Sequence, residues 1–127
     1  MVMFNMVTLT IRAKQMGALN QASTEQFIRR AIDHIRVSLP EIYGDIGDDA
    51  VRASALKALE KANQFAIEEQ FDVIRYLNLM YILGFEFDED TSYPWARETL
   101  LAEHFSPREK LDLLTQLALQ ETGAFKD

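Results

Sequence analysis

Residues 71–95 read FDVIRYLNLMYILGFEFDEDTSYPW. Within residues 73–83 only Arg75 and Asn78 are strongly polar. A helix that is apolar nearly all round needs cover on most sides. The stretch is therefore expected to form a buried central helix over about residues 69–83. Glu68, Glu69 and Asp72 open it with negative charge, which the positive end of a helix dipole favours. Gly84 is placed to end it. Phe85 and Phe87 then alternate with acids through an aromatic, acidic corner, and Pro94 suits the first turn of the next helix. The pattern predicts an all-α fold: a compact bundle of about five helices around this central one, in a single domain.

The flanking segments agree with that reading. Phe27, Ile28, Ala31, Ile32, Ile35 and Leu39 recur at helical spacing, with Arg29, Arg30, Asp33 and Arg36 on the other face. Ser23 and Gln26 have the spacing of a capping box at the start of that helix. Pro40 pushes Leu39 out of the helical region and ends it. Residues 40–47 read as a connector, after which Asp48 is a suitable N-cap. Val51, Ala55, Ala58, Leu59, Ala62, Phe65 and Ala66 form an alanine-rich stripe, opposite a solvated face of Lys57, Glu60 and Lys61. Beyond the corner, Trp95, Leu100 and Leu101 give one helix its apolar side. Ser106, Pro107 and Glu109 combine an N-cap, a proline at the first helical position and a glutamate at the third. Leu111, Leu114, Leu117 and Ala118 line the last helix, which ends near Gly123. Near the N-terminus, residues 7–11 alternate as V-T-L-T-I. This pattern is read as a tail, or as an extended segment whose Leu9 and Ile11 add to the sheet edge of another protein.

Charge and composition narrow the function. The 127 residues carry a net charge of −7. Residues 12–36 sum to +3, and the rest of the chain to −10. Nucleic acid and anionic membranes need clustered Lys and Arg, so neither is expected as a partner. Cysteine is absent, so no disulfide framework or thiolate metal site is available. No apolar run approaches the roughly 20 residues of a bilayer span, and the N-terminus is a poor signal peptide. A cytoplasmic location is expected.

No constellation of reactive residues points to an active site. Asp88, Asp90 and Ser92 alternate like the start of a calcium loop. Such a loop needs Gly at its sixth position and Glu at its twelfth, where this chain has Tyr93 and Thr99. His34 and His104 are the only histidines. Glu68, Glu69 and Asp72 are read as surface charges complementing a helix dipole. There is no nucleophile turn and no glycine-rich phosphate loop. No catalytic residue, metal or cofactor is therefore expected, and the chain is read as a non-enzyme. The aromatics at the corner remain: Phe85, Phe87, Tyr93 and Trp95 can either close the core or anchor an interface.

The run from Phe71 through Arg75, Tyr76, Leu77, Asn78 and Leu79 to Met80, then Leu83-Gly84, Phe87-Asp88 and Pro94-Trp95-Ala96, has a familiar pattern. Ile11-Arg12 and Gln15-Met16 add to it. The pattern resembles small all-helical bacterial proteins encoded beside type VI secretion genes, whose neighbours are spike-tip proteins, effectors and effector-loading chaperones. The resemblance implies an accessory or co-chaperone role: binding an adaptor chaperone or an effector and assisting its loading. The alternative is an immunity protein that inhibits a toxin. Combined with the composition, it makes Leu9, Ile11, Tyr76, Phe87, Asp88, Asp90, Tyr93 and Trp95 the expected partner-binding residues, with a secretion chaperone, effector or spike protein as the partner.

Overall fold

The computed structural model describes residues 21–122. The expected extended segment at 1–11, with Leu9 and Ile11, lies outside them. The described chain is all-α. Its five helices are α1 (Gln21–Ser38), α2 (Pro40–Gln64), α3 (Gln70–Leu83), α4 (Pro94–Leu101) and α5 (Pro107–Thr122). The chain divides into two compact units between Glu60 and Lys61, inside α2.

In the first unit, α1 buries Phe27, Ile28, Ala31 and Ile35, while Arg29, Arg30, Asp33 and Arg36 are exposed. These are four members of the expected stripe; the other two, Ile32 and Leu39, are half-buried. The helix already runs through Ser23, so the Ser23–Gln26 capping box does not mark its start. Gln21 and Ala22, both tolerant of helix, extend it backwards. The segment at 40–47 is helical and not a loose connector. Pro40 supplies a first turn, and the break falls at Gly47, with φ 79° and ψ 179°. Only glycine adopts that region without strain. Across the break, the Tyr43 hydroxyl donates to Asp48 Oδ1 at 2.6 Å. Arg52 reaches back to Glu25 with two hydrogen bonds of 3.1 Å.

The second unit starts in the last turn of α2. That helix ends in a pair of bonds, Ile67 N–H to Ala62 O and Ala66 N–H to Asn63 O. This is the Schellman arrangement, which places one residue in the left-handed region. Ala66 fills that place with φ 63° and is exposed. It therefore leaves the buried stripe to which its spacing assigned it. α3 is covered as expected: Val73, Ile74, Tyr76, Leu77, Leu79, Met80 and Leu83 are buried. Gly84 ends it with positive φ, 119°, in an extended and not a helical left-handed geometry.

α5 packs against both α3 and α4. The Ser106 signal holds in full: Glu109 N–H donates to Ser106 Oγ at 3.2 Å, and Ser106 N–H to Glu109 Oε1 at 2.8 Å. Lys110, buried at the start of α5, donates to the Leu100 carbonyl at 2.7 Å and so satisfies the end of α4. Arg75 on α3 pairs with Asp112 on α5 at 2.8 Å.

Candidate protein-interaction site

The corner at 84–93 is built from successive turns. Phe87 N–H bonds Gly84 O, Glu89 N–H bonds Glu86 O, and Tyr93 N–H bonds Asp90 O. Asp90 Oδ1 accepts the Ser92 N–H at 2.8 Å. The aspartate thus folds its own loop, which accounts for the calcium-like spacing.

The corner is pinned from inside. Phe87 is fully buried, with its ring 5.0 Å from that of Tyr76. Asp88 is buried as well and lies 2.9 Å from Lys61 Nζ, which also donates to Glu86 at 3.1 Å. Lys61, expected on a solvated face, is therefore one of the most enclosed charges of this unit. Burial works to lower its pKa, but the contacts with Asp88 and Glu86 outweigh burial and leave it raised. Burial, and then the charges of Asp88 and its neighbours, push the Tyr76 phenol far upward. Oxygens of Glu86, Asp88 and Glu89 lie within 4.8 Å of one another. The Lys61 ammonium already neutralises two of the three.

These placements sort the expected partner-binding residues. Tyr76 and Phe87 have no exposed surface, so the expectation that they dock a partner does not fit their position; they hold the corner in shape. Asp88 does so too, through Lys61. Tyr93 and Trp95 are half-buried, with their rings 5.6 Å apart and tilted by 57°. Asp90 is exposed. Phe85, not Phe87, is the corner phenylalanine that reaches solvent, with its ring edge-on to Tyr81.

A feature that sequence reasoning missed lies beside this corner. A groove of about 390 Å³ runs between the acidic turn and α4. Its walls are mostly apolar, with Pro94 and Leu101 among them, and the exposed acids Glu89, Asp90 and Glu98 line it against a single base, Arg97. Leu101 was expected on the buried side of α4, yet it is 54% exposed. The helix has only eight residues and closes with Leu100 inside. An apolar floor inside a charged rim is the usual anatomy of a protein-docking patch. No histidine or cysteine lines the groove.

Among the described residues no helix is long and apolar enough to cross a membrane. In comparisons with known proteins, no family model, no curated protein and no solved structure matches the chain.

Proposed function

We propose that the chain is a non-enzymatic accessory protein that binds a type VI secretion chaperone or effector and assists its loading. The observation that carries the binding part is the acid-rimmed apolar groove beside the corner, with Leu101 exposed on its wall. An apolar anchor would seat against Pro94 and Leu101, and basic residues beside that anchor would meet Asp90, Glu89 and Glu98. Burial of the anchor supplies affinity, and the charged rim supplies steering and rejection of wrong partners. The secretion setting rests on the resemblance of residues 71–96 to small proteins of those gene clusters.

The test is purification of the tagged protein from its own cells with identification of what co-purifies. A secretion chaperone, effector or spike protein at near-stoichiometric yield is the expected result. The protein recovered alone and folded would overturn the reading. The acidic rim also favours a second reading, an immunity protein that covers a basic toxin. Co-expression separates the two: protection of cells from a neighbouring toxin supports immunity, and a loader alone gives none.

A further inference from the structure

A second cleft, of about 360 Å³, opens where the start of α3 meets the start of α5. Glu68, Glu69, Asp72 and Arg108 line it, with Ala66, Ser106 and Pro107. The exposed acids at its mouth are ordinary. Asp72 is not: its side chain is only 2% exposed, and Oδ1 has no hydrogen-bond partner. It stands in the first turn of α3, yet the N-cap makes no side-chain bond there. Arg108, at 3.9 Å, is the nearest cation but does not hydrogen-bond Asp72; it bonds the outer Glu69 at 3.3 Å instead. A buried carboxylate oxygen left without a donor is costly.

We propose that this cleft binds the primary ammonium group of a small aliphatic amine, with Asp72 accepting its N–H donors and Glu68 and Glu69 holding charge at the mouth. Three acids against one arginine leave the cleft net negative. The carboxylates are too spread for a single metal ion: among the described residues, only the oxygens of Glu86, Asp88 and Glu89 form a trio within 4.8 Å. An extended cation with its own donors fits the separation better. Burial, followed by opposing effects of Arg108, Glu69, Arg75 and Asp112, leaves the Asp72 pKa raised. An incoming ammonium would reverse that by stabilising the carboxylate. Binding should therefore weaken as the pH falls into the acid range.

The experiment is a titration of the full chain with putrescine at constant ionic strength, followed by amide NMR. Saturable shifts confined to residues 66–72 and 106–109 are expected. Asp72→Asn should weaken binding by about tenfold or more, the effect of losing one charge-assisted bond. Arg108→Gln, at an exposed site where the fold should persist, removes the resident cation and should tighten binding. Tetramethylammonium, a cation without N–H donors, should give no saturable response. Equal responses to both cations, no saturable shift with putrescine, unchanged affinity in Asp72→Asn, or weaker binding in Arg108→Gln would each overturn the proposal.

Discussion

Replacing Lys61 by methionine keeps most of the side-chain volume and removes the charge that faces Asp88. Asp88 is 3% exposed and cannot turn to water, whereas Glu86, the other partner, is 61% exposed and can. Breaking a buried ion pair by removing one member costs about 3–5 kcal/mol, because the remaining charge is stranded. Lys61 also sits in the last turn of α2, where a cation contributes a further ~0.3–1 kcal/mol. Total stability for a domain of this size is about 5–15 kcal/mol, so Lys61→Met should remove roughly a fifth of it or more. Glu86→Gln should cost no more than about 1 kcal/mol, as an exposed pair does. Pairing Lys61→Met with Asp88→Asn should recover much of the loss, since no charge is then stranded. Urea unfolding followed by circular dichroism gives all three values and the coupling between the sites. A Lys61→Met variant within 1 kcal/mol of the parent, or a Glu86→Gln variant equally damaged, would refute the assignment of Lys61 and Asp88 as the internal pin of the corner.

Four further outcomes are expected. Ala66→Gly should raise stability by up to about 1 kcal/mol in urea unfolding, because glycine relieves the left-handed strain that alanine carries at the end of α2. Phe87→Ala should cost about 3–5 kcal/mol and broaden the aromatic NMR signals, since it empties a fully buried site against Tyr76. Asp72→Asn should be more stable than the parent at neutral pH in paired denaturation curves. A carboxyl with a raised folded-state pKa favours folding below its unfolded value of 3.8 and loses that contribution as the pH rises through the folded one, so the advantage of Asn should shrink towards acid pH. Ser106→Ala should lower thermal stability by the equivalent of about 1 kcal/mol, the usual value of an N-cap, with Glu109→Ala acting in the same direction.

The helices were legible where periodicity and local chemistry agree. The apolar run of α3, the stripe of α1, Pro94 at the start of α4 and the reciprocal Ser106–Glu109 cap all follow from residues a few positions apart. The errors arise where a distant partner decides. Lys61 reads as solvated because its neighbours Lys57 and Glu60 are charged; only the return of the chain at Asp88 makes its burial tolerable. One signal was available, since Lys61 borders the stripe of Ala58, Ala62 and Phe65. Asp72 reads as a helix-opening charge, yet it occupies the same spacing as Tyr76, Leu79 and Leu83, which are all buried. Phe85 and Phe87 have near-identical sequence surroundings. The turn after Gly84 turns one inward and leaves the other at the surface, and alternation alone does not say which. The groove was not visible for the same reason: it depends on α4 ending at Leu101, which leaves that leucine outside.

The central claim is that the groove beside the corner is the docking surface. The measurement that bears on it most directly is the affinity of the purified partner for the parent chain and for Leu101→Lys, by calorimetry, with circular dichroism on both. Leu101 is exposed, so its replacement should leave helix content and melting unchanged. Leu101 is 54% exposed, so burying the remainder contributes about half of the roughly 1.5–3 kcal/mol of a fully buried leucine, and binding should weaken by about fourfold to fifteenfold. Unchanged affinity in a folded Leu101→Lys chain would contradict the account and move the docking surface elsewhere on the protein.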